Sequence, residues 1–348
     1  MKKSKKSLTI IIPTIIILVL ATISVYVVGV RLPCKKVNEK PPLLPTIDFI
    51  QSWYARTLTD EKWDDYMSEL KKSGFESVIL QSVMTDYNDG VLLFFNDDNF
   101  FGDKRYSYTL EKMLSSADRH GVGVYIGTYC PDDWWTTDYN DKYVTDLANA
   151  HKGIIKSVAE KYLSHSSVKG WYFSPEFYYN VKGYEDNWAK LLNLTIDCIR
   201  QYGNDLPLIF SPFYDKPAFA GIIASESIKK LINGVNFRQG DVFAPQDGFG
   251  KLGKNVSDIE LGLEYGFVKA CADAVKNSNV SLWLNCELFT SEEDEKASYD
   301  RMLKQFKISG EFCEKTLCFS FSHYAVKDDD KTLYNDFNRI VDEYSPAK

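Results

Sequence analysis

The chain has 348 residues, 45% of them hydrophobic, with 41 basic against 48 acidic side chains and a formal net charge of −7. No basic block marks the body of the chain, which argues against a nucleic-acid partner. Four histidines without an HxH or HExxH pattern, and seven cysteines without a CxxC pair, point away from a zinc centre and a complete disulfide framework. No metal and no cofactor is expected.

The order of elements begins with a basic tail, residues 1–7 (MKKSKKS), before an uncharged run from Leu8 to Val30. About 20 apolar residues span a bilayer, so residues 8–30 read as a transmembrane signal-anchor. Lysines before it and a globular body after it place the N-terminus inside and the body outside a plasma membrane. Secretion after signal cleavage is the alternative, but Val27 and Gly29 make a poor small-residue cleavage site. Residues 31–45, with their prolines, read as a stiff extracytoplasmic linker.

From residue 46 to 348 short apolar runs alternate with helical patterns. TIDFIQSW (46–53) is a strand, and Trp63, Tyr66, Met67 and Leu70 follow at helical spacing before Gly74. ESVILQ (76–81), VGVYIGT (122–128) and VKGWYFSPE (168–176) are the next strands, each followed by an amphipathic stretch. LPLIFSPF (206–213), GDVFAPQD (240–247), VSLWLNCE (280–287) and KTLCFSFS (315–322) repeat the rhythm, with helices around 226–233, 258–276 and 296–308 and a last one carrying Leu333, Phe337 and Ile340. Strict alternation implies a parallel sheet, and eight strand–helix pairs imply one closed (β/α)8 TIM barrel.

Sites on such barrels lie at the C-terminal strand ends. Read in order, those ends carry Gln51, Gln81, Tyr129, Glu176, Tyr214 with Asp215, Gln246 with Asp247, Glu287 and His323. Side chains alternate along a strand, so Tyr172, Ser174 and Glu176 share one face, as do Trp283, Asn285 and Glu287. If those faces line the interior, two carboxylates lean over the mouth, and Cys286 points outward. Paired carboxylates are what glycoside hydrolysis requires: one protonates the leaving oxygen, the other attacks the anomeric carbon or activates water. The aromatics around Glu176 disfavour its charged form, which suits the acid, and give sugar rings a surface. Trp53, Trp134, Trp135, Tyr178 and Tyr324 are further candidates for that surface, with Asn285 for hydroxyl groups.

GFGKLGKN (248–255) nearly matches a phosphate loop, but Asn255 stands where a hydroxyl is needed, and Ser257 with Glu260 starts the next helix later, as a capping box. NDDNFFGD and KDDDK lack EF-hand spacing. No serine lies in G-x-S-x-G.

Taken together, WYFSPE, PQDGFG and LWLNCELF resemble domain-of-unknown-function family 4434, a barrel family similar to the retaining glycoside hydrolase clan with glutamates after strands four and seven. The resemblance implies Glu176 as acid/base and Glu287 as nucleophile in a membrane-anchored glycosidase acting on an oligo- or polysaccharide. That clan places an asparagine directly before the acid, and this chain has Pro175. A non-catalytic carbohydrate-binding barrel is the alternative. A retaining mechanism needs the two carboxyl groups about 5–5.5 Å apart.

Overall fold

The computed structural model describes residues 27–87, 90–177, 183–213, 220–291, 296–326 and 331–345. Eight parallel strands close into a barrel in sequence order: β1 (Pro45–Ile50), β2 (Ser77–Leu80), β3 (Gly123–Gly127), β4 (Val168–Phe173), β5 (Leu208–Phe210), β6 (Val242–Phe243), β7 (Ser281–Glu287) and β8 (Lys315–Phe319). The helices that follow them are α1 (Asp60–Lys72), α2 (Thr109–His120), α3 (Asp141–Tyr162), α4 (Glu185–Tyr202), α5 (Ala220–Gly234), α6 (Asp258–Val275), α7 (Tyr299–Phe312) and α8 (Thr332–Tyr344). The TIM barrel expected from the alternation is the fold.

The two-residue alternation sorts side chains into two cores. Ile47, Phe49, Ile79, Tyr172, Ile209, Val242, Ala244, Trp283 and Leu317 fill the lumen. Their neighbours along each strand, Ile50, Val78, Leu80, Trp171, Phe173, Leu284, Cys286 and Cys318 among them, join the larger core under the helices. Cys286 faces outward, as the spacing implies, and all seven cysteines are free.

Local capping reads through as well. Ser257 accepts from the Glu260 backbone while the Glu260 side chain returns to the Ser257 backbone, so α6 starts at the capping box and not within the glycine loop. Beyond β2 and β3 the chain adds a small outer sheet, with Met84–Tyr87 antiparallel to Gly90–Leu93 and parallel to Tyr129–Cys130.

Residues 31–45 differ from a linker. Leu32–Glu39 is a helix with Pro33 in its first turn, where a missing N–H does no harm, and Pro33 and Val37 are buried against the barrel. Two apolar positions four residues apart suffice to dock it. Among the described residues no helix is long and apolar enough to cross a membrane. The signal-anchor assigned to residues 8–30 lies outside them except for residues 27–30.

Candidate active site

Glu287 is the last residue of β7 and is 1% exposed. Its Oε2 accepts the Gly250 N–H at 2.6 Å. A Cβ at Gly250 would lie 2.7 Å from that oxygen and 2.2 Å from the Phe289 ring, so only glycine lets the backbone approach. The preceding Gly248 has φ +70°, which turns the loop back over the strand end.

Asp247 fixes the same strand end from below. Its Oδ1 accepts from the backbone of Phe249 at 3.1 Å and of Glu287 at 3.2 Å, and its Oδ2 accepts from Gln305 at 2.5 Å. Asp247 is 1% exposed and occupied by these donors. It therefore supports the strand end that carries Glu287. A strand-end position alone does not show which carboxylate the backbone amides will claim.

Arg301 and Gln305, one turn apart on α7, complete this cage. Arg301 is fully buried and donates to the carbonyl oxygens of Glu287 at 2.9 Å, Phe289 at 2.8 Å and Gly253 at 3.0 Å. Burial and, next, the negative charge of Asp247 push the Glu287 carboxyl above its usual range, while Gly250 N–H and Arg301 pull it down. The charge of Glu176 adds to the same rise.

Glu176 lies three residues past β4 and is half-buried. Burial raises its carboxyl to about 7, against a hydrogen bond from Gln246 that lowers it. Its main chain is held by Trp134, whose indole Nε1 donates to the Glu176 carbonyl at 2.7 Å. Phe177 stacks on Trp188 with ring centroids 4.9 Å apart and also packs on Phe173 and Trp134. Trp134 is wholly buried, and Trp171, Phe173 and Phe177 face the helices, so these rings anchor Glu176 and offer sugar no surface. This corrects the expectation that they do. Of the tryptophan pair only Trp135, half exposed, presents its ring.

Between the glutamates lies a polar floor. Gln246 bridges to Asn285 along the strand edges and donates from Nε2 to the Ser211 carbonyl at 3.3 Å. Asn285 Nδ2 donates to Ser211 Oγ at 3.0 Å, and Ser174 Oγ to the Gln81 carbonyl at 2.6 Å. Gln81 also accepts, through Oε1, from the Ser52 amide at 3.3 Å beside Gln51, the N-cap residue of Ser52–Ala55.

An aromatic wall closes the β8–β1 side. Trp53 meets His323 edge-on at 4.6 Å, His323 meets Tyr324 at 4.5 Å, and Tyr324 lies 5.4 Å from Phe289. The Tyr324 hydroxyl is pushed up by burial and, next, by the charge of Glu287. Asp48, inside β1, secures this loop by accepting from the amides of Phe321 at 2.7 Å and Ser322 at 3.2 Å and from Tyr66 Oη at 3.1 Å. Burial raises Asp48 to about 6. A lone aspartate within the apolar run TIDFI was the signal for it.

Tyr129 is placed elsewhere. It belongs to the outer sheet, and its hydroxyl donates to Asp86 at 3.1 Å. Tyr178, Tyr214 and Asp215 lie outside the described residues.

A closed barrel of eight parallel strands, with Glu287 ending β7 and Glu176 three residues past β4, belongs to the (β/α)8 class. The model of the domain of unknown function DUF4434 matches residues 47–331, and the chain belongs to that family. No curated protein sequence matches it significantly. Its fold is similar to a provisionally assigned α-L-fucosidase from Bacteroides thetaiotaomicron, with a TM-score of 0.70 at 17% identity, covering 88% of this chain and 96% of that one. It is also similar to an endocellulase from Pyrococcus horikoshii (TM-score 0.56, 13% identity, 86% and 93% covered). A third is the catalytic domain of a β-amylase from Paenibacillus polymyxa (0.55, 9%, 87% and 100%).

Proposed function

We propose that the protein is a membrane-anchored, extracytoplasmic glycoside hydrolase that retains anomeric configuration. Glu176 serves as acid/base and Glu287 as nucleophile. The observation that carries this is a carboxylate beyond each of two barrel strands: Glu176, three residues past β4, with its proton affinity raised to about 7, and Glu287, ending β7, whose carboxyl accepts the Gly250 N–H and senses the charge of Glu176. An acid must hold a proton near neutrality and release it in the transition state, which suits Glu176. A nucleophile must stay fixed, which the contacts of Gly250, Asp247 and Arg301 ensure; the Gly250 N–H and Arg301 oppose, without cancelling, the rise that burial and Asp247 give its carboxyl. Gln51, Gln81, Trp53, Trp135, His323 and Tyr324 would bind the saccharide, with Gln246 and Asn285 as the floor. The solved structures similar in fold include proteins whose names describe glycosidases, and this supports the reading.

Pro175, in place of the clan's asparagine, favours a second reading as a non-catalytic carbohydrate-binding barrel. A broad glycan panel separates the two. Reducing ends released by the wild type but not by Glu176→Gln support the enzyme, whereas glycan binding without release supports the binding module. The soluble fragment for this work should start at Leu32, because the helix from there to Glu39 is part of the fold.

The orientation reading is tested on intact cells. Lys2, Lys3, Lys5 and Lys6 should resist a membrane-impermeant amine reagent that labels surface lysines of the barrel. Labelling of the N-terminal lysines in sealed cells would reverse the topology.

A further inference from the structure

The helix Leu32–Glu39 continues directly from a helical turn at Val27–Arg31, and that turn packs against α6. Cys34 Sγ meets the carbonyl oxygen of Asp258, the first residue of α6, at 3.4 Å. Further along, Lys307 donates to the Asn38 carbonyl at 3.3 Å, and Lys40 pairs with Glu311, in the last turn of α7, at 2.5 Å. Leu43 N then donates to the Phe306 carbonyl at 2.9 Å, just before β1 begins. Helices of a (β/α)8 barrel start at the mouth and end at the opposite face. The helix therefore descends the barrel wall away from the mouth, and the chain before it leaves at the mouth-side rim.

Little slack lies between. The uncharged run ends at Val30, and Cys34 already touches the barrel, so at about 1.5 Å per residue only ~6 Å of helix separates them. Exposed aliphatic side chains also occur on these elements: Val28, Leu32 and Ile259, at the start of α6, are exposed by 65%, 47% and 57%. Arg31 and Lys35 border the same shallow depression as Leu32, with Asn38 and with Glu39, which pairs with Lys35 at 3.8 Å. Exposed aliphatic groups beside cations suit a lipid headgroup layer, whose phosphates attract the cations while the aliphatics enter the acyl boundary. The glycine loop that supports Glu287 through Gly250 leads straight into α6, so the site and this patch share one stretch of chain.

We propose that the α6 edge of the mouth rests on the membrane, and that the protein's substrates are glycans presented at the bilayer surface. This rests on the anchored reading given above and deepens it by naming the substrate class. With the run and the barrel joined through continuous helix, the mouth is held near lipid, and a long soluble polymer would reach it only from the side.

The test uses the full chain in vesicles of phosphatidylcholine and phosphatidylglycerol that carry a headgroup quencher. A ketone-bearing amino acid replaces exposed Asn255, at the mouth, or exposed Asn277, beyond the far end of α6, and is labelled with a fluorophore that leaves native thiols untouched. The proposal expects several-fold stronger quenching at position 255 than at 277. Equal quenching, or stronger quenching at 277, in vesicle-bound protein overturns the orientation alone. Failure to sediment with vesicles overturns the anchored reading and the orientation with it. The unmodified chain supplies a second measurement: hydroxyl-radical oxidation of Leu32 and Ile259 should fall on reconstitution relative to Tyr344, at the end of α8. Unchanged relative oxidation contradicts the proposal.

Discussion

The two glutamates at the mouth are held in opposite ways. Glu176 is positioned through its main chain, by the Trp134 indole and the buried Phe177 ring, and its carboxyl has one named side-chain donor, Gln246. Glu287 is positioned through polar contacts: Gly250 donates to its carboxyl, while Asp247 at its amide and Arg301 and Gln305 at its carbonyl hold its main chain. An apolar anchor sets where a group sits and leaves its proton affinity to burial. A polar cage also decides how much charge the group carries. The contrast suits a proton donor on β4 and a fixed nucleophile on β7.

The largest effect that would break this comparison is loss of either carboxylate. Glu287→Gln should abolish turnover, and Glu176→Gln should lower kcat by about 10²–10⁴-fold, with glycan binding retained in both. Equal residual activity in the double variant and wild type would remove the chemistry from this pair.

The cage should fail harder than the anchor. Arg301→Met leaves the charges of Asp247 and Glu287 without their buried cation, and it should destabilise the fold by about 3–5 kcal/mol in denaturant unfolding. Trp134→Phe keeps the packing and removes one hydrogen bond, so about 0.5–1.5 kcal/mol is expected, together with a fall in kcat. If Trp134→Phe proves the more damaging to stability, the assignment of cage and anchor is reversed.

A finer test concerns pH. Asp247 raises the proton affinity of Glu287, so Asp247→Asn should lower it. Glu287 would then stay ionised to lower pH, so the limb of kcat/KM that it sets should move to lower pH while the limb set by Glu176 near 7 stays in place. A profile unchanged by the substitution would remove Glu287 from the titration.

The smallest effect belongs to the rim. Trp135→Ala should raise KM several-fold with little change in kcat, as loss of about 1 kcal/mol of aromatic contact implies.

The parts of this site legible in the sequence were those set by short-range rules. Strand alternation placed Tyr172 and Trp283 in the lumen and Cys286 outward, and a capping box placed the start of α6. Residues whose role depends on which neighbour folds over them were not legible. Arg301 and Gln305 read as ordinary positions on an amphipathic helix, though a charge on the same turn as Met302 and Phe306 was a usable sign. Adjacent tryptophans look alike until the turn at Asp132–Trp135 buries one and exposes the other. Leu32–Glu39 has two apolar anchors among charges and prolines, too weak a pattern to distinguish a docked helix from a tether.

The most direct measurement of the central claim is covalent trapping. The protein is mixed with a panel of 2-deoxy-2-fluoro glycosyl fluorides, which form the glycosyl-enzyme but hydrolyse slowly, and is then read by intact mass and peptide mapping. The two-glutamate account predicts a single added glycosyl group on Glu287, lost in Glu287→Gln and retained longer in Glu176→Gln. Hydrolysis of matching natural glycans without any adduct, or an adduct on another residue, would contradict it.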